Sequence, residues 1–182
     1  MRLAPVLNIL GLLTTMLAAA MLIPMAIDLY FGSDDWQVFA VSALFTAFVG
    51  VAVWLSTSQR EPFDLGLKQA FLLTNGSWLL IGVFGSFPFM FCELALSPTD
   101  AIFESVSGIT TTGSTVLENV EEASNGILIW RALLQWLGGV GIVVMAMAVL
   151  PMLSVGGMQL FRTESYDRAE KVVPRAAQLA GG

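Results

Sequence analysis

Long apolar stretches separated by short polar ones set the plan of this chain. A helix needs about 20 residues to cross a hydrocarbon core about 30 Å thick, and four stretches, over about 3–30, 36–55, 69–91 and 127–153, qualify. The first carries Pro24 late enough to kink the helix rather than abolish it. The polar turn FGSDDW follows, with Asp34 and Asp35 placed to begin the second helix. The second and third stretches are joined by STSQREPFDLGLK, a polar connection carrying Arg60, Glu61, Asp64 and Lys68. A polar loop from Glu118 to Asn125 precedes the fourth stretch, and a charged tail begins at Phe161. The pattern predicts two leading spans over 1–58, a connection over 59–68, a second helical unit over 69–160 and a tail over 161–182.

One segment departs from this plan. Ser97–Thr115, SPTDAIFESVSGITTTGST, reads as a short capped helix running into small hydroxyl residues and glycines. Ser97 is a good N-cap, and Pro98 suits the first helical position. Asp100 sits three residues beyond the cap, a spacing that favours the positive end of the helix dipole. A helix over 98–107 reaches only about 15 Å at about 1.5 Å per residue. It cannot span, but it can enter a bilayer and stop near the midplane. Non-helical backbone at that depth is tolerated only where protein or a water-filled cavity surrounds it.

Gly108 is expected to end the helix, and the run 110–115 follows. Gly113 permits backbone angles that a side chain hinders. An extended run here turns successive carbonyls toward an axis, where they replace water around a cation. The helix C-terminus adds partial negative charge, and the threonine hydroxyls add oxygens of the same hard type. One such strand is not a pore, because a ring is required. The segment therefore reads as one quarter of a cation selectivity filter.

Other readings of these residues exist. GITTTGST resembles a phosphate-binding loop, but Ser114 stands where the lysine belongs and no strand precedes it. Threonine and serine near membrane helix ends also serve as packing contacts. Asn75-Gly76-Ser77 matches a glycosylation sequon but falls inside a span. Gly138, Gly139 and Gly141 suit close helix packing or a flexible gating point. A lone carboxylate at Glu104 is costly at this depth. It faces a cavity or pairs with a donor, for which Arg131 is the candidate, unless Arg131 snorkels.

Composition narrows the class. The chain has 182 residues, 56% hydrophobic and 12% charged, with mean hydropathy +0.78. Soluble domains carry about 25% charged residues, so the expected class is an all-α integral membrane protein. The leading apolar run exceeds the roughly 7–15 residues of a signal core. One cysteine excludes an internal disulfide, and the absence of histidine argues against a transition-metal site. No nucleophile–base set is present, so an enzyme is not expected. Eight bases are too few for a nucleic-acid face. With the N-terminus cytoplasmic, Arg2, Arg60, Lys68, Arg162, Arg168, Lys171 and Arg175 share the inner side, and Arg131 alone falls outside. The outer side then holds Asp34, Asp35, Glu118, Glu121 and Glu122. These either raise the local cation concentration or are simply solvated.

A family resemblance follows from these residues. SGITTTGSTVLENV followed by WRALLQWLGGVGIVVMAMAVLP, with its signature from Arg131 to Gly141, resembles the Trk/Ktr/HKT superfamily of potassium transporters. The two leading helices look like the TrkH/TrkG branch. The resemblance implies four linked repeats of helix, re-entrant pore helix and helix around one potassium-channel-like pore, of which residues from 69 to 160 are the first. It implies that Thr111, Thr112, Gly113 and Ser114 bind potassium through backbone carbonyls, supported by Thr110, Thr115, Glu104 and Arg131. A glycine at 113 fits the potassium pattern rather than the sodium-permeant one. The implied activity is potassium uptake across the inner membrane with no cofactor, potassium being the transported ion. The implied partners are membrane lipid, further pore repeats and a cytoplasmic nucleotide-binding subunit of TrkA type. Family members continue through three more repeats, so the chain is expected to be an N-terminal portion, or to tetramerise if complete. The alternative is a non-conducting assembly or regulatory subunit that associates with full-length transporters.

Overall fold

The computed structural model describes residues 3–58, 66–117, 120 and 123–149, and the chain divides into two compact units, Met1–Val144 and Met145–Gly182. The expectations resting on Arg2, Arg60, Glu118, Glu121, Glu122 and the charged tail lie outside the described residues. Those described are helical, with no strand among them. In order the helices are α1 (Ala4–Ala20), α2 (Leu22–Phe31), α3 (Trp36–Ser56), α4 (Leu67–Gly85), α5 (Phe87–Phe91), α6 (Pro98–Ile109) and α7 (Asn125–Val149).

Among the described residues four segments are long and apolar enough to cross a membrane: Ala4–Phe31, Trp36–Ser56, Lys68–Phe91 and Asn125–Val143. They match the four stretches read from hydropathy, with two internal breaks. The first span is interrupted at Met21, three residues before Pro24, which has no N–H to donate to the carbonyl one turn earlier. The third span breaks in the same way at Ser86, ahead of Pro88. Gly32 closes α2 in the left-handed region at φ 75°.

Asp35 precedes α3, as expected, but its side chain makes no cap. Its carboxylate accepts the backbone N–H of Glu93 at 3.0 Å instead, tying the turn before α3 to the turn after α5. The core gathers where α1 ends and α3, α6 and α7 begin. Leu17, Met21, Phe39, Phe89, Ala101, Ile127, Trp130 and Leu134 are all buried there. Trp130 and Phe39 meet edge-on at 6.3 Å between ring centres.

That shared end fixes the topology of the short helix. Both α6 and α7 start at the same end of the bundle, so the chain from Ser97 runs inward along α6 and comes back before α7 descends. At 12 residues, α6 reaches about 18 Å, a little over half of a crossing. The segment is re-entrant. It packs on α4 and α5, and the Ser105 hydroxyl donates to the Ile81 carbonyl of α4 at 3.3 Å.

Candidate functional site

The cap of α6 forms as its sequence dictates. Ser97 Oγ accepts the N–H of Asp100 at 3.2 Å and donates to the Asp100 carboxylate at 2.7 Å. The other end differs from expectation. Gly108 does not terminate the helix, which continues to Ile109. The ladder persists through Thr110 N–H on the Val106 carbonyl at 2.9 Å. Gly108 is used for packing, its Cα side lying against Leu134 of α7.

Beyond α6 the backbone doubles back. Thr111 sits at φ 59° and Gly113 at φ 77°. Glycine takes that region freely, whereas for a β-branched threonine it is strained. The turn is held by three N–H groups: Thr111 on the Gly108 carbonyl at 2.9 Å, and Thr112 and Gly113 on the Ser107 carbonyl at 3.0 and 3.3 Å. In a trans peptide the C=O points opposite the following N–H. With the amides of Thr112 and Gly113 aimed at Ser107, the carbonyls of Thr111 and Thr112 are therefore aimed away from α6. Residues 111–116 are exposed. The run is thus a tight turn at its start, not the uniformly extended strand expected from the sequence. Thr110 Oγ1 donates to the Val106 carbonyl at 2.8 Å and lies 2.9 Å from Thr112 Oγ1.

Glu104 anchors the return strand from behind. It is 1% exposed, and one carboxylate oxygen accepts Thr115 Oγ1 at 2.5 Å and Val116 N–H at 2.6 Å. The other accepts Arg131 Nε at 3.0 Å. Of the readings left open for this pair, the ion pair holds. Arg131 thus links α7 to α6, and Glu104 links both to the strand. Ser107 provides a further tie: its hydroxyl donates to the Ser114 carbonyl at 2.6 Å. The structure thus places Thr115 and Arg131 on the two carboxylate oxygens of Glu104. Thr111, Thr112 and Gly113 lie in the turn, and the Ser114 carbonyl is held toward the helix.

The glycines of α7 divide by role. Gly138 is buried, and a Cβ there would overlap the Ile109 carbonyl. Gly141 has open space around it. Trp130 Nε1 donates to the Gly85 carbonyl at 2.9 Å, joining α7 to α4.

Two positions escaped the sequence reading. Ser107 carries no local signal, since it is one serine among several. Asp28 is fully buried in α2, and its carboxylate accepts Gly126 N–H at 2.7 Å and Ser124 Oγ at 3.2 Å. It caps α7 from another helix. An ionisable residue inside an apolar span was the available signal. The described residues contain no cluster of acids, cysteines or histidines able to hold a metal ion.

Comparison with known proteins places these features in a family. The family model described as TrkH, cation transport protein, matches residues 35–179. The chain is 44% identical over 179 residues to the Trk system potassium uptake protein TrkI of Halomonas elongata, covering 98% of this chain and 36% of that one. It is 38% identical over 176 residues to the Trk system potassium uptake protein TrkH of Escherichia coli, covering 95% of this chain and 36% of the relative. The crystal structure of the potassium transporter TrkH from Vibrio parahaemolyticus superposes with TM-score 0.78 at 30% identity, over 100% of this chain and 40% of that one. The chain thus spans well under half the length of the relatives it matches.

Proposed function

Because the chain belongs to the TrkH family of cation transport proteins, we propose that it supplies the first pore unit of a membrane protein for potassium uptake. The unit runs from 69 to 160. Its filter contribution is the turn from Thr111 to Ser114, with the carbonyls of Thr111, Thr112 and Gly113 as potassium ligands. The observation that carries this reading is the pair of N–H bonds from Thr112 and Gly113 to the Ser107 carbonyl. They turn two successive peptide oxygens to the exposed side of a re-entrant helix end, where oxygens can substitute for a hydration shell. Thr110, Thr115, Glu104 and Arg131 act behind the ligands, holding the strand in place.

The arrangement supplies no covalent chemistry. A pore needs several such turns around one axis, so further repeats complete the ring. By the distribution of bases the N-terminus is cytoplasmic, the membrane is the cell inner membrane, and a nucleotide-binding subunit of TrkA type docks from the cytoplasmic side.

The test is Gly113→Ser in the complete gene product, measured in cells lacking other potassium uptake. A β-carbon at φ 77° disturbs the turn, and the ratio of potassium to sodium uptake should fall about tenfold, equivalent to about 1.4 kcal/mol of lost discrimination. An unchanged ratio with normal expression overturns the filter assignment. Wild-type protein that supports no uptake, alone or with its partners, favours the non-conducting assembly subunit instead.

A further inference from the structure

Ser107 joins the pore helix to the filter turn at two places, and only one of them depends on its side chain. Its carbonyl accepts the amides of Thr112 and Gly113, a bond set that any residue supplies. Its hydroxyl reaches seven residues ahead to the Ser114 carbonyl at 2.6 Å. A helical serine ordinarily bonds back to the carbonyl one turn earlier. Here the hydroxyl is 5% exposed with its residue and is spent on the turn instead. The consequence is a sorting of peptide groups. The carbonyls of Thr111 and Thr112 face the exposed side, while the Ser114 carbonyl is drawn back to the helix.

We infer that Ser107 is a specificity-determining positioning residue: its hydroxyl holds the Ser114 carbonyl back and so fixes which filter oxygens are presented to the ion. The inference rests on the filter reading above and deepens it. Ser107 touches no ion; it acts through Ser114. Removing the hydroxyl leaves the Ser107 carbonyl and its two amide bonds in place but frees the Ser114 oxygen to turn outward. The site then has an extra, loosely held ligand, and a mobile ligand fits a smaller cation as readily as a larger one.

The experiment compares Ser107→Ala, Ser107→Thr and Ser107→Cys with Gly113→Ser, each in the complete gene product in proteoliposomes, reading potassium and sodium uptake and the KM for potassium. Ser107→Ala is expected to lower the potassium-to-sodium ratio about fivefold, the equivalent of one hydrogen bond of about 1 kcal/mol. Ser107→Thr, which keeps the hydroxyl, is expected to restore the ratio. Ser107→Cys, a weak donor of similar size, should fall between, and it decides the question if the alanine variant fails to accumulate. A merely structural role lowers the amount of protein without moving the ratio. Ratios unchanged in both Ala and Cys variants, or a Thr variant as compromised as Ala, overturn the inference. If Gly113→Ser still shifts the ratio in those cases, the filter reading survives; if it does not, that reading fails as well.

Discussion

Glu104 offers the sharpest test of how the turn after α6 is held. Its carboxylate is buried and accepts three hydrogen bonds, from Thr115 Oγ1, Val116 N–H and Arg131 Nε. Glu104→Gln keeps the shape but not the accepting capacity. An amide presents one oxygen and one NH2 group. If the oxygen serves Thr115 and Val116, the NH2 faces the Arg131 N–H. If the oxygen serves Arg131, the NH2 faces the Val116 N–H. Either way one donor opposes another, and one charge-assisted bond of about 1.5–3 kcal/mol is lost. Glu104→Ala removes all three acceptors and leaves a cavity. The loss there is about 3–5 kcal/mol, the usual result of removing one partner of a buried pair.

Arg131→Met leaves the buried Glu104 carboxylate without its counter-charge, so it also costs about 3–5 kcal/mol. The Arg131 side chain is 17% exposed, and the Glu104 oxygen facing the turn keeps both of its donors, which places the loss toward the lower end of that range. The assay is equilibrium unfolding of the complete gene product in mixed micelles, run as a double-mutant cycle on Glu104→Gln and Arg131→Met. A coupling of about 1–2 kcal/mol is expected for partners in direct contact. A coupling below about 0.5 kcal/mol refutes the view that Glu104 is the shared anchor.

Asp28→Ala should destabilise by about 1–2 kcal/mol through loss of the α7 cap, whereas Asp28→Asn should lose under about half of that. The amide oxygen still accepts Gly126 N–H and the NH2 can donate to Ser124, so thermal melting in detergent separates the two. Gly138→Ala should destabilise by about 1–3 kcal/mol, because the new methyl overlaps the Ile109 carbonyl. Gly141→Ala should be neutral or stabilising by up to about 1 kcal/mol, since nothing lies near that position. A melting temperature that falls as far for Gly141→Ala as for Gly138→Ala would contradict the division of roles along α7.

The parts legible in the sequence are those governed by local rules. Four spans followed from the lengths of apolar runs, and the α6 cap followed from Ser97, Pro98 and Asp100 within one turn. Other features depended on contacts far along the chain. Gly108 looked like a helix end because glycine often is one, yet Leu134, 26 positions later, uses it as a packing surface. Asp35 looked like a cap for its own helix, yet its carboxylate accepts an N–H 58 residues away. Asp28 serves a helix 98 residues away. Local propensity ranks what a residue can do nearby. It cannot rank a distant donor that burial makes more demanding, because an unsatisfied buried N–H loses far more than an exposed one. The Glu104–Arg131 pair was reachable only as one of several options, since its partners lie on both sides of the filter run.

The same logic separates what this unit holds by itself from what it leaves for a neighbour. Every polar tie to the turn described above comes from within the unit: Ser107 and Glu104 from α6, Arg131 from α7. The turn therefore has its shape fixed by bonds from the elements that flank it. The side of α6 away from α7 is different. Ile102 and Val106 are 38% and 40% exposed, and with Leu79 and Val83 of α4 they line an open, mainly apolar groove of about 350 Å³ that Thr110 also lines. That lining comes from two regular helices, whose backbone groups are already paired. Turn geometry is thus set by hydrogen bonds from α6, with Arg131 of α7 holding Glu104 in place. Substitutions at Ser107 or Glu104 that remove the bonds to the turn are therefore expected to disturb it, whereas apolar substitutions in the α4–α6 groove leave those bonds in place.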